Sequence, residues 1–310
     1  MRTQGRRKWV WVQGIVVVAT LGVTGWWQMW MVRPMGAGPA GPPVRAADFG
    51  QEWSPRPVLL VGIGDSVTAG FGASPGFSYF DRLLKNPTED PPDIGGVVLS
   101  NVFPNLTATN LSVSGSTSPQ HVRTQLPKLA RQSTNTLGVV VMTTGGNDII
   151  HNYGRTLPTE GAMYGASFDQ ARPWITNFAE RLELMLSKVQ ETFPGGCRVF
   201  LANIYDPTDG LGDIQRAGLP AWPDGLRIHA EYNRVIADVA GRHPDVHVVD
   251  AHRAFLGHGI HCRQFWRKHF DRSDPHYWFH ANLEDPNDRG YDVLRRLFLN
   301  EMAKVFRANP

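Results

Sequence analysis

Apolar positions in this chain come in two rhythms, and the switch between them predicts the architecture. Short apolar, β-branched runs at Val58 to Ile63, Thr107 to Val113, Leu137 to Thr143, Arg198 to Ile204 and Val246 to Val249 read as strands. Between them, Phe77 to Lys85, Gln120 to Arg131, Ala171 to Thr192, Gly225 to Gly241 and Asp288 to Phe306 read as helices. The clearest is Ala171 to Thr192, where Ile175, Phe178, Leu182, Met185, Leu186 and Val189 recur at helical spacing along one face. Repeated β-then-α units predict an α/β fold, a three-layer α/β/α sandwich with a central parallel sheet of about five strands. The expected strand order is the flavodoxin-like 2-1-3-4-5.

The amino-terminal part follows neither rhythm. Arg2, Arg6, Arg7 and Lys8 precede an uncharged run from Trp9 to Val32, closed by Arg33. About 24 residues at 1.5 Å each span a hydrocarbon core of about 30 Å. Residues 1–33 are therefore expected to form a signal anchor, a transmembrane helix with its basic end inside and the rest of the protein outside. Trp26, Trp27 and Trp30 suit an aromatic belt at the far end. Cleavage of this segment as a signal peptide would leave a secreted protein instead. Residues 34–57 are rich in Pro, Gly and Ala without periodicity and read as an extended linker. Residues 58–310 form the remaining domain.

Composition narrows the function classes. Of 310 residues, 42% are hydrophobic and 19% charged, which suits one large globular core. Net charge is +3 and no basic run lies in the body of the chain, so a nucleic-acid partner is not expected. Two cysteines, Cys197 and Cys262, allow one disulfide at most and no paired C-x-x-C zinc site.

The candidate chemistry clusters where loops leave the strands. After the first strand comes Gly64-Asp65-Ser66, a serine at the tip of a buried strand in a glycine-rich turn. A nucleophile is presented in this way at the carboxyl edge of α/β sheets, although a helix cap has the same local pattern. After the second strand comes Asn110-Leu-Ser-Val-Ser-Gly115-Ser-Thr, and after the third Thr144-Gly145-Gly146-Asn147-Asp148. Before the last helix stands Asp285-Pro286-Asn287-Asp288-Arg289-Gly290-Tyr291. The order and spacing of these four stretches, from about Val58 to the end, resemble the SGNH (GDSL-type) hydrolase family. The G-x-S-x-G elbow of the ordinary α/β-hydrolase fold is absent, because Thr68 holds its last glycine position.

That resemblance implies a serine esterase that needs no cofactor and acts on a small-molecule or polymer-borne ester, of acetylated carbohydrate or lipid, through an acyl-Ser66 intermediate. It assigns the oxyanion donors to the backbone N–H groups of Ser66 and Gly115 and to the Asn147 side chain. Asp148 is expected to be structural. The family's last motif, D-x-x-H-P-N, carries its base histidine directly before the proline, and here Asp285 holds that position. Asp-Pro remains an excellent helix start, so local structure survives the exchange. Substitutes abound upstream: His252, His258, His261, His269, His276 and His280. Asp274-Pro275-His276 is selected as orienting acid and base, with His258, His261 and His280 as alternatives for the base. Asp285 itself, at an ordinary carboxylate pKa near 4, would be a weak base at neutral pH.

Three other readings bear on the same residues. A member of the fold that has lost its base would be a non-catalytic binding module. His258, His261, Cys262, His269 and Asp271 have the chemistry of transition-metal ligands but no established ligand spacing. Asp206-Pro-Thr-Asp209-Gly-Leu-Gly-Asp213 is acidic but out of register for a calcium loop, and is read as a turn bordering the active site.

Overall fold

A computed structural model describes residues 3–308. Five parallel strands, β1 (Val58–Ile63), β2 (Leu106–Asn110), β3 (Leu137–Met142), β4 (Cys197–Ala202) and β5 (Val246–Val249), pair in the order β2-β1-β3-β4-β5. This is the expected topology. Eight helices matter to the argument: α1 (Thr3–Trp30), α2 (Ser66–Ala69), α3 (Tyr79–Leu84), α4 (Gly146–Ile150), α5 (Phe168–Thr192), α6 (Gly225–Ala240), α7 (Ala251–Phe255) and α8 (Asp288–Ala308).

Successive strand residues point to opposite faces, and each face has its own core. Leu60, Val139, Val141 and Phe200 pack beneath α3 and α8 with Tyr79, Leu83, Leu294 and Phe298. Val61, Val140, Met142, Val199 and Leu201 pack beneath α5 and α6 with Phe178, Leu182, Tyr232 and Ile236. Burial on both faces explains why these strands read as continuous apolar runs rather than alternating ones. Each such side chain contributes about 1.5–3 kcal/mol relative to exposure. Registers Gly62↔Asn110 and Ile63↔Met142 bring the ends of β1, β2 and β3 level, so the three turns that follow them meet at one edge.

Two elements depart from the expected ones. The second strand stops at Asn110 rather than Val113. The Asn110 side chain donates to the Thr68 carbonyl (2.9 Å) and accepts from the Ser112 amide (3.2 Å), a local turn that ends the ladder. Gln120 to Arg131 is not one α-helix. Wide π-helical turns over His121–Gln125 pass into a 3-10 turn over Leu126–Lys128. Pro127 lacks the amide a regular helix would use there.

The linker is also different from a free tether. Tyr277 N donates to the Pro34 carbonyl (2.8 Å), Arg289 Nη1 to the Gly38 carbonyl (2.9 Å), and Ala40 N to Asp292 (3.2 Å). Phe49 is buried, and Trp53 stacks on Phe306 of α8 at 5.5 Å. Residues 34–57 therefore lie along the domain. Cys197 and Cys262 are both free and buried.

Candidate active site

Ser66 owes its position to a glycine and an acid. Gly64 takes φ +150, and a Cβ there would meet Thr143 Oγ1 at 2.5 Å and the Thr143 carbonyl at 2.6 Å. Only glycine lets the chain turn this tightly off β1. Asp65 then caps α2, accepting from Val67 N (3.1 Å) and from Thr143 Oγ1 (2.7 Å). Burial pushes the Asp65 carboxyl up to about 6, against the lowering effect of Thr143 and with a further push from the Asp285 charge. Ser66 is the first residue of α2, 8% exposed, and lines a pocket.

Asn147 and Gly115 lie on the other two turns, and of the two only Asn147 lines the pocket with Ser66. Asn147, buried on α4, lines the same pocket and donates from Nδ2 to the Ser116 carbonyl (3.0 Å). Gly115 is exposed with φ +77 and open space around its would-be Cβ, so its conformation rather than crowding demands glycine. Asp148 behaves as a structural residue. It accepts from Ser118 N (2.7 Å) and the Ser118 hydroxyl, and it faces Arg181 at 3.7 Å. Burial raises its pKa, against those bonds.

A buried network beneath these turns escaped the sequence reading. Gln125 accepts from Gly64 N (2.9 Å) and donates to the Gly64 carbonyl (2.7 Å) and to Ser116 Oγ (3.0 Å). His121, fully buried, bridges Ser116 Oγ (2.9 Å) and Thr144 Oγ1 (3.0 Å). Burial lowers its pKa to about 4, so the neutral ring joins the second and third turns while Gln125 joins the first and second. The signal was a His and a Gln four residues apart in an otherwise amphipathic stretch, and the π-helical turn aims both inward.

The loop between α7 and α8 distributes its histidines differently from expectation. His276 Nδ1 pairs with Asp274, as the sequence suggested. Asp274, however, also accepts from Trp278 Nε1 (3.2 Å) and pairs with Arg289 Nη2 (2.5 Å). The His276 ring lies where a Cβ on Gly36 of the linker would stand, 2.6 Å from its Cγ. Neither Asp274 nor His276 lines the pocket that Ser66 lines, and nor does Asp285, although Asn282, Leu283 and Glu284 before it do. His258 stacks on Trp278 at 3.3 Å and His261 Nε2 bonds Asp213 (2.8 Å). The Gly257-His258-Gly259 turn wraps the Asp209 carboxylate, which accepts from the amides of Gly257 (2.8 Å), Gly259 (2.8 Å) and His261 (2.9 Å). Among the described residues, no three His, Cys, Asp or Glu side chains gather in a metal-binding group.

Asp285 holds the position before Pro286, and the Ser66 hydroxyl bears on its titration although no hydrogen bond joins the two. Asp285 is 2% exposed, and its Oδ2 accepts from Asn282 Nδ2 (2.7 Å) while Oδ1 is buried without a hydrogen-bond partner. Burial raises its pKa, partly offset by the Ser66 hydroxyl, by Asn282 and by the charge of His280. The preceding Asn282, Leu283 and Glu284 form part of the pocket wall, and Leu283 holds φ +68, a strained conformation for a branched residue. The imidazole of His280 packs against Gly72 and edge-on to Phe71 (6.0 Å), with its Nδ1 buried and unpartnered.

The pocket holds about 150 Å³ above Ser66 and Asn147. Its walls are mostly apolar, with Ile149, Tyr164, Ile204, Leu219, Trp222 and Leu226 among them. A parallel sheet with a strand-end serine, an inward asparagine and an apolar pocket defines a hydrolase of the SGNH class. The chain belongs to the GDSL-like lipase/acylhydrolase family, matched over residues 63–293, and is an ester-hydrolysing enzyme. Solved structures share the fold. An acetylxylan esterase from Geobacillus stearothermophilus is 17% identical with a TM-score of 0.49, covering 81% of this chain and 96% of its own. A variant of an acetyl-xylooligosaccharide esterase from the same organism is 17% identical with a TM-score of 0.50, covering 81% and 96%. An extracellular lipase from Streptomyces rimosus is 19% identical with a TM-score of 0.49, covering 82% and 100%. No curated protein matches the sequence.

Proposed function

We propose that the protein hydrolyses carboxylic esters through an acyl-Ser66 intermediate, with Asp285 as the proton acceptor and Ser66, Gly115 and Asn147 as oxyanion donors. What supports this reading is a buried carboxylate, Asp285, directly before Pro286 where the family's base stands, with a pKa that burial raises and the Ser66 hydroxyl lowers. As Ser66 Oγ attacks the carbonyl carbon, its proton passes to Asp285, and the new oxyanion is met by the two backbone N–H groups and the Asn147 amide. Collapse expels the alcohol, which takes the proton back. Water then attacks the acyl-enzyme with Asp285 again as base, and the acid leaves. Desolvation answers the weakness of an ordinary aspartate as base, because it raises the proton affinity of the carboxylate. The same carboxylate argues against the binding-module alternative, since the position of the missing histidine still holds an acceptor.

A second arrangement draws support from His280, whose buried Nδ1 has no partner and whose charge is felt by Asp285. In it, His280 takes the proton and Asp285 orients the ring. The apolar pocket walls favour an acyl chain longer than acetyl, and so a lipid-like ester over acetylated carbohydrate. The helix α1 supports a membrane-anchored enzyme with its domain on the extracytoplasmic side: Trp11–Trp30 is long and apolar enough to cross a bilayer.

The test is hydrolysis of p-nitrophenyl esters from acetate to octanoate by the full chain and by Ser66→Ala, Asp285→Asn and His280→Ala. Loss with Ser66 and Asp285 but not His280 supports the dyad. Loss with all three supports the His280 arrangement. Unchanged activity in Ser66→Ala overturns both.

A further inference from the structure

The end of α1 is gripped by the domain. Arg263 Nη1 donates to Gln28 Oε1 (2.7 Å), and Gln264 Nε2 to the Met29 carbonyl (3.4 Å). Around Trp30 stand the His261 ring (6.0 Å, edge-on), the Trp266 ring (6.4 Å), and the guanidinium groups of Arg216 (4.8 Å) and Arg267 (5.9 Å). By Pro34 the chain is already hydrogen-bonded to Tyr277. There is no slack between helix and domain, so whatever surrounds the end of α1 fixes what surrounds residues 263–268.

Those residues carry an unusual surface. Phe265 is 66% exposed and Trp266 49% exposed, their rings edge-on at 5.0 Å. Lys268 and Arg216 are exposed beside them, and Arg263 and Arg267 are half-buried. The nearby carboxylates are engaged elsewhere: Asp213 with His261 (2.8 Å) and Asp271 with Ser273 (2.6 Å). An aromatic pair ringed by cations is costly in water. It suits the boundary of a bilayer, where aromatic rings sit at headgroup level and cations meet lipid phosphates.

We propose that Arg263–Lys268, with Arg216, seats the domain on an anionic phospholipid bilayer, Phe265 and Trp266 entering the interface. This rests on the reading that α1 crosses the membrane. It adds a second point of contact, which fixes the tilt and rotation of the rigidly joined helix and domain relative to the bilayer plane. The position also bears on substrate delivery. The 206–219 loop places Asp206, Pro207, Ile214 and Leu219 in the pocket wall while its Arg216 lies over Trp30, so the pocket stands beside the proposed seat.

The test places one environment-sensitive fluorophore on the full chain through Phe265→Cys, Leu157→Cys or Val18→Cys. Cys197 and Cys262 are buried and do not compete for label. Each protein is reconstituted in phosphatidylcholine/phosphatidylglycerol vesicles containing nitroxide-labelled lipid. Position 265 is expected to be quenched severalfold more than position 157, a loop residue 86% exposed. Adding Arg216→Glu and Arg267→Glu, or using phosphatidylcholine alone, should remove most of that difference. Quenching at 18 but equal, weak quenching at 265 and 157 overturns the seat while leaving the anchor intact. No quenching at 18 overturns the anchor and the seat with it. Quenching at 265 that ignores both charge reversal and lipid charge overturns the anionic headgroup contact.

Discussion

The turns after β1, β2 and β3 and the long loop between α7 and α8 supply opposite halves of the proposed site, and they are built by different rules. Each strand-end turn is fixed by its own few residues. Gly64 must be glycine for steric reasons, Asp65 caps the helix it begins, and Gly115 and Gly145 hold left-handed conformations at φ +77 and +92. The long loop is fixed from outside. Asp209 gathers the amides of Gly257, Gly259 and His261, Trp278 stacks on His258, and Arg289 holds Asp274. Local rules can be seen in a sequence. Partners fifty residues away cannot.

The sharpest way to break this contrast is to exchange the two acid candidates. Ser66→Ala should bring ester hydrolysis to background, and Asp285→Asn should cost about 10²–10⁴-fold in kcat, the range for loss of a general base. Asp274→Asn and His276→Ala should leave kcat close to wild type and act on stability instead. Leaving the Arg289 charge short of its partner costs about 1–3 kcal/mol in chemical denaturation. If His276→Ala silences the enzyme while Asp285→Asn does not, the long loop supplies its base from the Asp274 side, and the placement argued above fails. The pH profile sharpens the same point. In the proposed dyad the ionised carboxylate of Asp285 is the base, and burial favours its protonated form, so the acid limb of kcat/KM should lie above an ordinary aspartate pKa.

Within the strand-end half, Asn147→Ala should lower kcat by about 10²–10³-fold with KM little changed, because the amide is needed for the charge that develops at the carbonyl oxygen. A rise in KM with kcat intact would make Asn147 a binding residue only.

Sequence alone reached the five-strand order and placed Ser66, Gly115 and Asn147 on the turns that leave β1, β2 and β3, since each follows from strand periodicity and turn chemistry. The proposed base lay beyond its reach for an identifiable reason. The chemistry of a carboxylate depends on how dry its surroundings are, and the burial of Asp285 comes from packing that no local pattern records. It likewise read 34–57 as a tether, because Pro- and Gly-rich composition says nothing of the grooves along α8 that hold Ala40, Phe49 and Trp53. The histidine count drew attention to the long loop, whereas His121, hidden in a segment read as plain helix, joins the turns after β2 and β3.

Asp65 links the two halves through charge, and its effect should show in stability. Its carboxyl is raised from 3.8 to about 6, so the native state holds the proton more tightly than the unfolded chain. The associated stability is present in full below the unfolded pKa and is lost as pH rises through about 6. Asp65→Asn keeps an acceptor for Val67 N but removes the charge. Measured by urea denaturation, the variant should gain on the wild type between pH 4 and pH 8, by at most about 3 kcal/mol. A constant difference across that range would mean that Asp65 is no harder to ionise in the fold than out of it.

The smallest expected effect concerns the pocket rather than its floor. Leu219 lies on the wall at the end of the 206–219 loop and is half-buried, so a larger side chain there can fill the pocket without entering the packed sheet. Leu219→Trp should leave acetate hydrolysis near wild type and lower octanoate hydrolysis, changing the ratio of the two kcat/KM values by about 10–100-fold. The asymmetry is what matters, because a damaged oxyanion hole would slow both esters alike. If both fall together, the wall does not hold the acyl chain, and the preference for a lipid-like ester loses its physical support. If only octanoate falls, the strand-end turns supply the chemistry and the wall carried by the 206–219 loop sets how much acyl chain the site accepts.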